Sequence, residues 1–137
     1  MSDQTSSPKP STIAEYMHED PLTIPINATL QQAAEVMTER MVGALLVIDD
    51  CNNYVGIVSE KRLTREGLAK GRNPETTLVE SIMRKDPISV DHHQSAREAQ
   101  DIMKANGVRH LVVKNGEKII GILALSDLIR YYTDFFE

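Results

Sequence analysis

The amino-acid sequence predicts an α/β (α+β) fold built from two copies of one unit, in which a short helix precedes a β-α-β-β-α run. The first observation is an internal repeat, because Met17–Ile24 returns as Met83–Val90, 66 positions later. The second is the hydrophobic period, which changes between the strand and helix patterns in the same order in both copies. Two copies of about 60 residues each therefore account for most of the chain.

The repeat continues well beyond its opening motif. Met37 corresponds to Met103 at a shift of 66, whereas Gly56 corresponds to Gly121 at a shift of 65. A single deletion explains the difference, and the polar loop Asp49–Asn53 of the first copy is the place where a hairpin can absorb it. The corresponding hairpin of the second copy has Asn115-Gly116, which is typical of a type I′ turn.

Every predicted element has a counterpart in the other copy. The short opening helices end at Pro21 and Pro87, because the residue before a proline disfavours the helical conformation. In the first copy we predict a short helix over Ile13–Met17, strands over Leu22–Ile24, Ala44–Ile48 and Tyr54–Ser59, and helices over Leu30–Met41 and Leu63–Ala69. In the second copy we predict a short helix over Val79–Met83, strands over Ile88–Val90, His110–Lys114 and Lys118–Leu123, and helices over Ala96–Met103 and from Leu128 onwards.

The two long helices begin with the same local signal. Thr29 is followed three residues later by Gln32, and Ser95 by Glu98. Both pairs fit a capping box, in which the hydroxyl and the third side chain each accept from an exposed backbone amide. The predicted division of the chain is a disordered tail over 1–11, the first copy over 12–71, a linker over 72–77, the second copy over 78–133 and a helix end over 134–137.

Composition and charge limit the class of protein. With 41% hydrophobic and 26% charged residues, the 137-residue chain has the composition of a soluble globular protein. No apolar stretch approaches the roughly 20 residues of a membrane span, and the polar start lacks a signal-peptide core, so a cytoplasmic location is expected. The net charge of −5 argues against a nucleic-acid partner. Cys51 is the single cysteine, which excludes an intrachain disulfide.

These motifs resemble the cystathionine-β-synthase (CBS) domain, which occurs as tandem pairs known as Bateman modules. The resemblance extends over about residues 12–133 and rests on the order of its motifs. The second copy is also similar to the γ-subunit modules of AMP-activated protein kinase in the run Val108–Val113. The motifs are Met-x-x-x-Pro at 17–21 and 83–87, Val-x-x-Leu-x-Val at 42–47 and 108–113, Gly-Ile-Val-Ser at 56–59 and the run Gly121–Leu128.

The resemblance implies a pair of sheets packed together, with clefts between the repeats that take an adenosine-type ligand. AMP, ADP, ATP, S-adenosylmethionine and a dinucleotide are the candidates, and no covalent cofactor is expected. An adenine ring needs an apolar slot with backbone groups at its edge. The resemblance assigns this role to Met17, Leu22, Val42 and Gly43 in one cleft and to Ile88 and Val108 in the other. The aliphatic residues among them fit a purely structural role in the core equally well.

The ribose motif of the family, Gly-hydrophobic-x-Thr/Ser-x-x-Asp, is split between the copies. The first copy has Ser59 but carries Arg62 in place of the aspartate, and the second has Asp127 but carries Ala124 in place of the hydroxyl. Asp127 is the candidate for binding the ribose hydroxyls, and its alternative role is that of a helix N-cap. Ser59 is a weaker candidate with the same alternative. Arg62 cannot accept from a ribose diol, so the Asp127 site is expected to bind better.

Arg109 and His110 are the candidates for binding phosphate. They match the basic pair of the kinase subunit and lie at the beginning of a strand. Arginine offers a planar fork for phosphate oxygens, and histidine adds a donor that titrates near neutral pH. The alternative is a solvated pair at a strand end.

The sequence indicates neither a metal site nor a catalytic one. His92-His93 is interpreted as a hydrated loop, because no carboxylate was found to complete a ligand-spaced set. No catalytic constellation or phosphate-binding glycine loop is present, so an enzyme is the least expected class.

The aromatic residues near the C-terminus predict an interface. One predicted helix continues from Leu128 and carries four aromatic residues, Tyr131, Tyr132, Phe135 and Phe136. An exposed apolar face of this kind usually marks a contact surface. A homodimer through the terminal helices is expected, and a partner protein is the alternative. The sequence therefore predicts a stand-alone regulatory module that senses an adenosine ligand, and its alternative is a ligand-free dimerisation or docking module.

Overall fold

Each copy of the repeat forms one three-stranded sheet with helices, which confirms the predicted mixed α+β fold. The computed structural model describes residues 12–136, so the predicted tail over 1–11 lies outside the described residues. The chain divides into two compact units. The central unit is Pro21–Pro87, and the terminal unit combines the described residues up to Asp20 with those from Ile88 onwards.

The central unit contains three strands, β1 (Thr23–Pro25), β2 (Ala44–Ile48) and β3 (Tyr54–Ser59). Strand β1 pairs in parallel with β2, and β2 pairs antiparallel with β3. The crossover from β1 to β2 contains helix α1 (Leu30–Arg40), as a parallel connection requires. After β3 the predicted helix is irregular, because a helical turn α2 (Glu60–Arg62) continues as a π-helical turn over Leu63–Gly67 and a 3₁₀ turn over Leu68–Lys70.

The terminal unit repeats this topology with β4 (Ser89–Asp91), β5 (His110–Asn115) and β6 (Lys118–Ala124). Strand β4 pairs in parallel with β5, and β5 pairs antiparallel with β6. Helix α3 (Ala96–Asn106) lies in the crossover, and the regular helix α4 (Leu125–Phe136) follows β6. None of the helices within residues 12–136 has the length and apolar character needed to cross a membrane.

The helix starts agree with the sequence prediction. Both capping boxes are formed, at Thr29 with Gln32 and at Ser95 with Glu98. The second hairpin differs from the prediction, because Asn115 pairs with Lys118 and so precedes the loop instead of lying at its centre. Of the two loop residues, Gly116 alone has a positive φ, 65°, which is the type II′ pattern rather than type I′.

The compact units do not follow the boundaries of the sequence repeats. The opening segment of the first repeat forms a 3₁₀ turn, Ile13–Glu15, whose fully buried Ile13 belongs to the core of the terminal unit. The equivalent turn of the second repeat, Val79–Ser81, places Val79 in the core of the central unit. Each repeat therefore contributes its opening segment to the core that the other repeat's sheet forms.

Candidate functional site

Asp127 is the third residue of α4 and the one charged residue that the fold buries among the residues described. Its side chain is buried, with the residue 8% exposed. Oδ2 accepts from the backbone N–H of Ala124 at 2.7 Å, and Oδ1 lies 3.1 Å from Nε2 of His18. The predicted N-cap role of Asp127 is therefore wrong. Ala124, the residue before α4, occupies the cap position, and Asp127 lies inside the helix and accepts from the Ala124 N–H. The carboxylate is thus fixed in orientation by two partners.

Ser59 and Arg62 lie at the equivalent place in the central unit. Ser59 is the N-cap of α2, and its Oγ accepts from the backbone N–H of Arg62 at 3.2 Å. A capping box consists of this bond and of its reciprocal, from the third side chain to the cap amide. The first repeat keeps the hydroxyl half at Ser59, and the second keeps the reciprocal half at Asp127. The guanidinium of Arg62 donates from Nε to the carbonyl of Ile82.

Arg109 and His110 lie beside Asp127 because of the strand register. His110 is paired with Ala124 across β5 and β6, and the carbonyl of Arg109 accepts from the N–H of Leu125 at 2.8 Å. His110 is half-buried, and Arg109 is exposed. Burial lowers the pKa of His110 below its ordinary value, and the charge of Arg109 adds to this, whereas Asp127 opposes it. The first repeat has Gly43-Ala44 at these two positions, so the basic pair belongs to the terminal unit alone.

The remaining predicted site residues divide between the two units. They share partial burial. Met17, Ile88 and Val108 pack against the core of the terminal unit, which also holds Asp127. Leu22 and Val42 pack against the core of the central unit, where the carbonyl of Gly43 accepts from the N–H of Glu60 at 3.0 Å. Their packing fulfils the structural role that the sequence left open, while each keeps some exposed surface.

His18 is a site residue that the sequence reasoning did not single out. Its backbone exchanges hydrogen bonds with Ile122 on β6, at 2.9 and 3.1 Å, and this pairing places the imidazole at Asp127. The close approach is possible because Gly121 has no side chain, since a Cβ there would lie 2.7 Å from the carbonyl oxygen of His18. In the central unit Arg84, the second-repeat counterpart of His18, pairs with Ile57 in the same way. The sequence signal that could have identified His18 is its position directly after the methionine of the Met-x-x-x-Pro motif.

The turn after β4 brings together groups that were not expected to meet. Nδ1 of His93 lies 2.7 Å from Oδ1 of Asp91, and the rings of His92 and His93 are 3.8 Å apart between centroids. The expectation that no carboxylate accompanies the histidine pair is therefore wrong, because the preceding residue supplies one. Together the three residues form a group of potential metal ligands.

The predicted aromatic face on α4 is described in part. The hydroxyl of Tyr132 donates to Oε1 of Gln100 on α3 at 2.7 Å, which attaches α4 to the unit's other helix. The side chains of Tyr131, Phe135 and Phe136 lie outside the described part of the structure, so the interface stays a prediction.

Comparisons with known proteins agree with this architecture. A curated relative, an uncharacterized 17.7 kDa protein of Acidianus ambivalens, is 38% identical over 109 residues, which cover 79% of this chain and 65% of the relative. The chain thus spans slightly less than two thirds of the length of that relative. A solved structure of a putative signal-transduction protein with CBS domains from Burkholderia ambifaria is similar with a TM-score of 0.86 and 29% identity, covering 93% of this chain and 97% of that one.

A third similarity is to a hexameric CBS-CP12 protein from bloom-forming cyanobacteria, with a TM-score of 0.80 and 26% identity, over 95% of this chain and 76% of that one. The model of the CBS domain matches residues 13–69 and again residues 79–134. Two tandem matches that together take in most of the chain, with the two three-stranded sheets described above, show that this protein belongs to the CBS-domain family and contains a pair of CBS domains.

Proposed function

We propose that this CBS pair is a regulatory module that binds an adenosine-type ligand at Asp127 of the terminal unit and responds by a change in conformation. The ligand class comprises AMP, ADP, ATP, S-adenosylmethionine and dinucleotides. Stand-alone CBS-pair proteins are generally regulatory or signal-transducing, and the proposal gives this chain no catalytic step. The exposed free thiol of Cys51 suits a reducing compartment such as the cytoplasm.

The observation that carries the proposal is the fixed carboxylate of Asp127. An ionised carboxylate offers about four lone-pair sites, and the structure uses one on Oδ2 for Ala124 and one on Oδ1 for His18. The remaining capacity suits the two hydroxyls of a ribose. Arg109 supplies positive charge beside it for a phosphate, and His110 adds a hydrogen-bond donor.

The central unit does not offer the same chemistry. Arg62 replaces the carboxylate and already donates to the carbonyl of Ile82, and Gly43-Ala44 replaces the basic pair. We therefore propose one strong ligand site per chain, on the terminal unit.

The proposed response works through His18. A ribose hydroxyl that takes Oδ1 of Asp127 competes with the imidazole of His18, whose side chain is 60% exposed and has room to turn away. The ligand then favours the conformation in which the opening segment is released from Asp127, and it shifts the population only by the difference in its affinity for the two conformations.

An alternative proposal is a ligand-free module that docks a partner or forms a homodimer through its terminal helices. One observation favours it, since both oxygens of Asp127 already have partners within the chain. Assembly is plausible in this family, as one similar protein is hexameric.

Titration calorimetry with AMP, ADP, ATP, S-adenosylmethionine and NAD tests the proposal, together with thermal denaturation, because a ligand of the native state raises its stability. We expect one of these compounds to bind with a stoichiometry of one per chain. Asp127→Asn should weaken the binding, whereas the control Ser59→Ala, at the equivalent helix start of the central unit, should leave it unchanged. Absence of binding at millimolar concentration would favour the docking module. Two equal sites per chain would contradict the assignment to the terminal unit.

A further inference from the structure

The turn that follows β4 carries a second cluster of chemically active side chains, separate from Asp127. We propose that Asp91, His92 and His93 bind a divalent transition-metal ion of the zinc type, through one carboxylate oxygen and two imidazole nitrogens. The three residues are consecutive in the chain and all belong to the terminal unit.

The geometry brings one potential ligand atom of each residue into a small volume. These three atoms all lie within 4.8 Å of one another. Nδ1 of His93 lies 2.7 Å from Oδ1 of Asp91. A cation bound by both groups would replace the proton that they now share, and it would need only a small widening of the turn. The ring centroids of His92 and His93 lie 3.8 Å apart, with the ring planes tilted by 40°, so the two imidazoles lie close together beside the carboxylate.

His92 supplies an independent observation. Its Nε2 atom is buried and has no hydrogen-bond partner among the residues that the structure describes. A buried polar nitrogen without a partner destabilises a fold, because it has lost water and gained nothing in return. Coordination of the imidazole to a metal would compensate for that loss, either at this nitrogen directly or by movement of the ring.

The first repeat shows that the turn itself does not require these side chains. Its equivalent residues are Pro25, Ile26 and Asn27. The backbone is bonded in the same way in both turns, since the N–H of Ile26 donates to Ile48 and that of His92 donates to Lys114, each at 2.9 Å. Ile26 packs against the core of its unit, so an apolar residue satisfies the position that His92 occupies. The second repeat thus has three consecutive side chains that can bind a metal ion. The first repeat has no aspartate or histidine at the equivalent positions of a turn with the same backbone bonding.

The donor set indicates the class of ion. Imidazole nitrogens suit zinc, copper, nickel and iron, whereas magnesium and calcium prefer sets made of oxygen atoms. Three protein ligands are one fewer than a closed tetrahedral zinc site has, which leaves a position for water or for a ligand from another molecule.

Titration of the protein with zinc chloride tests the site, with calorimetry as the measurement and magnesium chloride as the control ion. We expect one zinc ion per chain and no response to magnesium. The matched variant is the double substitution His92→Ile and His93→Asn, which introduces the residues of the first repeat. Its zinc affinity should fall by at least about 100-fold, since the loss of even outer-shell partners costs 10- to 100-fold. Asp91→Asn should give an intermediate loss.

Thermal denaturation without metal shows whether the double variant is folded, and we expect it to be as stable as the parent protein or more stable, because the buried nitrogen is gone. Zinc should then raise the melting temperature of the parent alone. Zinc affinity that is equal in parent and variant would overturn the proposal, and so would an absence of zinc binding by the parent. Both results are independent of nucleotide binding, which uses Asp127 and not this turn.

Discussion

Nε2 of His18 lies 3.1 Å from Oδ1 of Asp127, although the two residues are 109 positions apart in the sequence. The contact joins an exposed imidazole to a carboxylate whose side chain is 10% exposed. It also couples the opening segment of the chain to the first turn of α4. A molecule that displaces His18 from Asp127 would therefore also remove a contact that holds the opening segment.

Replacing Asp127 with asparagine or alanine separates the two roles of its carboxylate. Both variants should bind a nucleoside ligand more weakly by about 1–3 kcal/mol, because charge-assisted hydrogen bonds are lost. Alanine alone should lower the free energy of unfolding, by about 1 kcal/mol, since an asparagine oxygen can still accept from Ala124. Calorimetry and urea denaturation measure the two quantities. Unchanged affinity of a folded Asp127→Ala protein would rule out the ribose role.

Arg109→Ala distinguishes phosphate binding from packing. We expect the affinity for AMP or ATP to fall about tenfold, and that for adenosine hardly at all, because an exposed guanidinium contributes through the phosphate charge. The carbonyl of residue 109 keeps its bond to Leu125 in the variant, so the backbone is preserved. Calorimetric titrations with each ligand are the measurement. Equal losses for AMP and adenosine would indicate a packing defect.

His110 predicts a pH dependence of stability. Burial lowers the pKa of its imidazole in the folded protein below the ordinary value of 6.5. The unfolded chain therefore binds the proton more readily than the folded one, and this residue's contribution to stability is complete above pH 6.5 and is lost as the pH falls through the folded pKa. His110→Ala introduces the Ala44 of the first repeat and should reduce this dependence. Urea denaturation of both proteins from pH 5 to 8 tests it, and parallel curves would contradict it.

Gly121→Ala should open the contact between His18 and Asp127. A Cβ at this position would lie 2.7 Å from the carbonyl oxygen of His18 and 2.8 Å from Sδ of Met17. Because a backbone atom must move, we expect a loss of about 1–3 kcal/mol in the free energy of unfolding. Gly56→Ala is the matched control, with 2.8 Å to the carbonyl oxygen of Arg84. Both should destabilise, but Gly121→Ala alone should change nucleotide affinity. If Gly56→Ala lowered nucleotide affinity as much as Gly121→Ala, the role of the His18 contact would be contradicted.

Met41→Gly should stabilise the protein. Met41 ends α1 with a left-handed φ of 57°, and the equivalent residue at the end of α3 is Gly107, with a φ of 64°. A side chain in this conformation costs about 1 kcal/mol relative to glycine, and the Met41 side chain is 91% exposed, so its removal loses little packing. Thermal and urea denaturation should show a gain of about 0.5–1 kcal/mol. The reverse substitution, Gly107→Met, should destabilise by a similar amount.

Local chemistry explains why so much of the fold was predictable. The capping boxes at Thr29 and Ser95 and the strand pair Ala44–Ile48 with Tyr54–Ser59 depend on neighbouring residues or on hydrophobic period, both of which are visible in one sequence. The exchange of opening segments was not visible, because Ile13 and Val79 carry the same apolar signal and either could fill either core. The irregular end of the helix after β3 likewise depends on tertiary packing.

The candidate site was predictable only where it is local. The family motifs pointed to Asp127, Arg109 and His110, and the strand register places these residues beside one another. The partner of Asp127 could not be predicted, since His18 reaches it through a backbone pairing with a strand more than 100 positions away. Asp91 was overlooked because it lies just after the predicted strand Ile88–Val90, and its contact with His93 depends on how the turn folds back.

The exchange of the opening segments also sets an order for the folding of a newly made chain. The central unit, Pro21–Pro87, is contiguous and has all its residues once Pro87 has left the ribosome. Ile13 was made earlier, yet the core that buries it contains Leu123 and Leu128. Ile13 must therefore wait for Leu123 and Leu128 before it can be buried, and closing a loop of this length is slow. Until that core forms, the segment that carries Ile13 lacks the residues that bury it, and it stays accessible to a chaperone or a protease.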